Sequence, residues 1–247
     1  MGLERGWSVP RSSMKLQPWQ EWCLFSLGAA ATWPIRALYR HPRPARYQQL
    51  YVRTTELVRA GKLVQRPPKV RGIQDLLGKV VAPGDWDLRS TNREMTWKTK
   101  TLLGLMAGLG PEQSGYMARM EALIARDGVN HGCTDAAAAM RRARELESMI
   151  EQLRQDRRLK ERSEIDPWAF RERGGIEVTI GRDGTVYRSG DGGHRGFFVE
   201  VLGIEAIPVA VTAIHPDAIR NGSFRRLLRE SNLLRVKTLS KTDTPNL

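Results

Sequence analysis

The sequence predicts an α+β fold: a small mixed sheet with packed helices, carrying a helical insertion and a basic N-terminal extension. Three observations carry this prediction. Residues 176–211 run strand, turn, strand, glycine-rich loop, helix, glycine, strand. Residues 96–128 and 135–160 repeat apolar side chains at helical spacing. The first 48 residues are a Pro- and Arg-punctuated leader with one expected helix, Trp19 to Ala31.

The elements follow in chain order. In the leader, Arg36, Arg40, Arg43 and Arg46 alternate with Trp33, Tyr39 and Tyr47. Interleaved cations and rings pair phosphate contacts with base stacking, so these arginines are candidate nucleic-acid contacts; a solvated arm has the same composition. Leu63 to Gly72 is basic, contains Pro and has no period, and Lys79-Val80-Val81 reads as a brief strand. Gly84-Asp85-Trp86-Asp87 then sets two carboxylates about a tryptophan after a turn. In extended chain Asp85 and Asp87 point the same way, as a Mg²⁺ site or a general acid and base requires. The alternative is a helix-capping Asp with Trp86 in the core.

Leu102, Leu105, Met106 and Leu109, then Tyr116, Met120, Leu123 and Ile124, mark two helical stretches split at Gly108 to Gly115. His131 and Cys133 lie in the following loop. One His and one Cys are too few for structural zinc, and two residues apart is poor geometry for a nucleophile and its base. Thr134 reads as the N-cap of a long amphipathic helix in which Leu146, Met149, Ile150 and Leu153 recur at 0, 3, 4 and 7. A charged linker, 156–173, contains an Asp166-Pro167-Trp168 turn.

Ile176–Ile180 and Thr185–Arg188 flank Gly181-Arg182-Asp183-Gly184, an Asp-Gly hairpin signal. The loop Ser189 to Gly193 opens a helix expected over Arg195–Leu202, stopped by Gly203, and Ile207–Val211 is the next strand. Glycines before a helix start turn N–H groups toward one point, and the helix dipole adds partial positive charge there. Gly192, Gly193, His194 and Arg195 are therefore candidate phosphate contacts, with Asp191 a candidate catalytic carboxylate. A plain turn capped by His194 is the alternative. Beyond Ile214-His215-Pro216 a basic helix, Ser223–Leu234, precedes a tail.

Asp191-Gly-Gly-His-Arg195, followed by Leu202-Gly-Ile-Glu-Ala-Ile-Pro-Val209, resembles the phosphate-binding segment of the ParB/sulfiredoxin-like superfamily. Gly84–Asp87, His131–Cys133 and Ile180–Gly184, in that order, make the chain most similar to uncharacterised ParB-like (ParB-type nuclease domain) prokaryotic or phage proteins. Leu50, Val52 and Leu57-Val58 resemble the opening strand and turn of such a domain. The resemblance implies a ParB-like domain over 49–215 with a helical insertion at about 88–160, and a basic C-terminal helix and tail over 216–247. It also implies handling of a nucleotide, CTP or ATP with Mg²⁺, through hydrolysis or phosphoryl transfer. Sulfiredoxin chemistry needs a cysteine where Gly193 stands. Gly196 replaces the larger apolar residue usual after His-Arg, at about 1 kcal/mol of helix propensity.

Charge bears on partners. Of the net +13, residues 1–83 carry +10 and residues 214–247 carry +4, whereas 175–213, which hold the glycine loop, carry −2. Basic ends suit DNA or another polyanion, and a nucleotide is the partner expected at the loop. At 247 residues the chain can bury a core without staples, and two cysteines make no disulfide framework. A reducing cytoplasm is the expected compartment. The apolar run Cys23–Ala31 meets Trp33-Pro34 and Arg36 too soon for a membrane span of about 20 residues.

Overall fold

The structure, a computed structural model, describes residues 47–68, 80–91, 97–169 and 172–240. The leader arginines Arg36, Arg40, Arg43 and Arg46 and the expected Trp19–Ala31 helix lie outside these residues. The chain is mixed α and β, built on one sheet of order β1-β6-β4-β5-β2-β3. Its strands are β1 (Gln48–Arg53), β2 (Lys62–Leu63), β3 (Ser90–Thr91), β4 (Ile176–Ile180), β5 (Val186–Arg188) and β6 (Ala206–Ile214). Four strands form its body, and the two-residue β2 and β3 extend one side.

Central β6 runs antiparallel to β1 and parallel to β4. Its sequence AIPVAVTAI is nearly all apolar, as a strand covered on both faces requires, and only Thr212 is partly exposed. Pro208 is tolerated because β4 pairing starts one residue later, at Ile176↔Val209. Opposite it, the Tyr51 N–H turns away from β6 and donates to Ser231 Oγ at 2.7 Å. No ladder bond is lost to the missing N–H. The brief strand expected at Val80-Val81 is a single parallel bridge, Val81↔Ile214.

The helices are α1 (Thr54–Ala60), α2 (Trp97–Met106), α3 (Tyr116–Asp127), α4 (Ala136–Asp156), α5 (Arg162–Ile165), α6 (Gly193–Val201), α7 (Pro216–Arg220) and α8 (Ser223–Ser240). Along α4, Ala139, Ala143, Leu146, Ile150 and Leu153 make one buried stripe. Its N-cap is Asp135, not Thr134: Asp135 accepts the Ala138 N–H at 2.7 Å. A carboxylate serves better there because it also answers the helix dipole. Helix α6 packs against α1, α2, α4 and β4, which centres the core on Phe198, Val199 and the apolar residues of β4 and β6.

The C-terminal helix is longer than its sequence signal and belongs to the domain. It packs along β1, where Tyr51, Ala206 and Leu234 form a buried cluster. Beside them Glu161, 4% exposed, accepts from Arg235 Nε (2.7 Å) and Nη2 (3.0 Å) and from Tyr51 Oη (2.9 Å). Burial pushes the Glu161 carboxyl up, but these donors outweigh it and hold it below the usual range. One carboxylate thus ties α8, β1 and the start of α5 together.

Candidate phosphate-binding site

Helix α6 begins two residues before the sequence pattern places it. Gly192 is the N-cap, in left-handed conformation (φ 82°), and Gly193, His194 and Arg195 form the first turn. The glycine at 192 is required twice over. Besides its φ, a Cβ there would lie 2.6 Å from Ile176 Cα and 2.9 Å from the Gly175 oxygen. This close approach fixes the helix start against β4. The first helical bond is Gly196 N–H to Gly192 O at 2.8 Å, so the amides of Gly193 and Arg195 precede the intrahelical ladder.

Glu177 meets the loop from β4. Its Oε2 accepts the Asp191 N–H at 3.3 Å, and its side chain lies against Gly190. Asp191 itself is exposed. Gly196 also has a partner: a Cβ there would lie 3.1 Å from Arg188 Cζ, whose guanidinium reaches the Gly193 carbonyl at 3.4 Å. The glycine at 196 therefore makes room for an arginine of β5.

His194 and Arg195 point to different surroundings. His194 is buried, its ring 5.2 Å from that of His131 and tilted by 58°. His131 gets there through a tight turn: His131 (φ 49°) and Gly132 (φ 79°) sit between Asn130 and Cys133, which exchange N–H···O bonds of 3.0 and 2.8 Å. Cys133 is buried, with Sγ 3.9 Å from the His131 carbonyl.

Arg195 is partly buried and donates from Nη1 to the Gly174 carbonyl at 2.6 Å. It also lines a cavity of about 710 Å³ between α4, the 158–175 segment and β6. Burial, then the guanidiniums of Arg162 and Arg142, make its charge less favourable than usual. Among the described residues no carboxylate forms an ion pair with it, and Glu172 and Asp191 favour its charge only from a distance. Sequence reasoning singled out Gly192, Gly193, His194 and Arg195; the structure also brings Arg188, His131, Arg162 and Glu177 near them from other elements.

Asp85 and Asp87 lie away from the loop. Both are held by Arg182 in the β4–β5 turn, the opposite end of the hairpin from Gly192. The ends are separated by the length of β4, about 13 Å at 3.3 Å per residue. Asp87 accepts from Arg182 N (2.6 Å), Nε (3.1 Å) and Nη2 (2.9 Å), and Asp85 accepts from Nη2 (2.7 Å). The two carboxylates do point the same way, but toward a guanidinium. Burial pushes the Asp87 carboxyl up, and the Arg182 bonds overcome it and hold it below 3.8. Trp86 is in the core, its Nε1 donating to the Ala82 carbonyl at 3.0 Å. Among the described residues, no group of three or more His, Cys, Asp or Glu side chains is arranged to hold a metal ion.

No protein-family model, curated protein or solved structure matches this chain. No described helix is long and apolar enough to cross a membrane.

Proposed function

We propose that the protein binds a phosphate-bearing ligand, a nucleotide such as CTP or ATP with Mg²⁺, at the first turn of α6. One observation carries the reading. Arg195, set by a glycine-capped helix start, borders a large cavity with a desolvated guanidinium that no described carboxylate bonds directly. Phosphate oxygens would accept from Arg195 and from the first-turn amides. Asp191 is the carboxylate at hand for a metal or a proton, and hydrolysis or phosphoryl transfer would fall to it. Calorimetry with CTP, ATP, GTP and ADP plus Mg²⁺ tests this. Arg195→Ala should weaken the tightest of them about 10- to 100-fold, as loss of a charge-assisted hydrogen bond does. Absence of heat with all four and folded protein refutes it.

A second reading, DNA or polyanion binding, rests on Arg225, Arg226 and Arg229, all exposed on α8. Its mark is a gel shift that fades steeply with salt. If no shift appears at low salt, this reading fails.

A further inference from the structure

The 710 Å³ cavity falls within the range of about 300–1,000 Å³ typical of small-molecule sites. Its apolar walls come from Met140, Met149 and Leu153 of α4, Leu159 and Ile165 beyond it, and Pro208 of β6. None of its described lining residues is aromatic, so its apolar walls are aliphatic, with guanidiniums at its rim. Thioethers and branched aliphatic groups conform to a flexible chain.

The polar lining is unevenly paired. Each acidic residue is engaged. Glu145 accepts from Arg142 at 2.7 Å, and Asp156 pairs with Lys160 at 3.0 Å. Glu172 accepts the Arg162 N–H and Gln49 Nε2, both at 2.9 Å. Arg158 is answered by Glu164 at 2.6 Å. Arg162 and Arg195 are not. Arg162 Nε is buried and has no hydrogen-bond partner among the described residues. An aliphatic trough thus carries, besides exposed Arg141, two guanidiniums that no described carboxylate bonds directly.

We propose that this cavity binds a long-chain aliphatic anion, its tail along the α4 wall and its charged head on Arg162 and Arg195. The anion is a carboxylate or a phosphate monoester, since the guanidinium fork fits both. The inference shares Arg195 with the nucleotide reading but does not rest on it, because the apolar wall and Arg162 belong to other elements.

The test is calorimetry on the full chain with octanoate, decanoate and dodecanoate below their micelle concentrations. Decyl phosphate, decanol and decyltrimethylammonium complete the set. Affinity should rise about fourfold per added methylene. Decanoate and decyl phosphate should both exceed decanol, the tighter of the two identifying the head group, and the cation should not bind. Ser148→Trp and Gln152→Trp place bulk at exposed positions of α4 that line the cavity. Either should abolish decanoate binding at unchanged circular dichroism, and Arg195→Ala should reduce it. Arg162→Met should erase the preference for decanoate over decanol. Equal affinity for anion, alcohol and cation, no chain-length dependence, no binding of the anions, or full decanoate binding in both tryptophan variants would overturn the proposal.

Discussion

Replacing Gly192 with alanine tests whether the start of α6 is fixed by contact with β4 or merely by its backbone angle. The residue holds φ 82°, which costs an L side chain about 1–2 kcal/mol. The new methyl would also lie 2.6 Å from Ile176 Cα and 2.9 Å from the Gly175 oxygen, both backbone atoms that no rotamer change can move. Overpacking of this kind costs about 1–3 kcal/mol, so Gly192→Ala should lose about 2–5 kcal/mol in all. Gly203→Ala is the control. That glycine has φ 64° and nothing within 4 Å of an added Cβ, so only the angular cost of about 1–2 kcal/mol applies. Urea unfolding of both variants, with unchanged m-values, reads the difference directly. Equal losses would show that the approach to Ile176 does not position α6, and the account of the site's rigidity would fail.

Two further outcomes follow from the hydrogen bonds. Asp87→Asn should lower the urea midpoint more than Asp85→Asn, because the Asp87 side chain is 2% exposed and that of Asp85 is 76% exposed. Since folding lowers the Asp87 pKa, its contribution is present above 3.8 and disappears as pH falls toward the folded value. The gap between wild type and Asp87→Asn should therefore close on acidification below about pH 4; a gap constant from pH 7 to 3 counts against the pairing. Ser231→Ala removes the acceptor of the buried Tyr51 N–H and should cost about 1–3 kcal/mol by thermal or urea unfolding. Exposed Asn232→Ala should stay within about 0.5 kcal/mol.

Local chemistry was legible in the sequence where it acts locally. The Asp183-Gly184 hairpin reads directly because Asp183 accepts the Thr185 N–H at 2.9 Å and Gly184 takes φ 93°. The two helices about Gly108–Gly115 and the buried stripe of α4 follow from spacing alone. Strand β6 was read only over Ile207–Val211 but runs from Ala206 to Ile214, its last residues pairing with β4. Arg182 was read only as part of the hairpin turn. Its role depends on carboxylates 95 and 97 positions away, which no local pattern reports. The meeting of His131 with His194 was hidden for the same reason, compounded by a positive φ at a histidine. Arg195 was singled out by the loop pattern, but its direction, into a cavity walled by α4, required the packing.

The cover that α8 gives β1 has a consequence for handling this protein. A product clipped before Ser223 would strip Ser231 and Leu234 from the outer rim of the sheet, baring unpaired amides and the greasy flank around Tyr51. Such a rim invites strands of other copies to add on, so proteolytic nicking of the C-terminus is the damage that would turn this molecule into self-associating material.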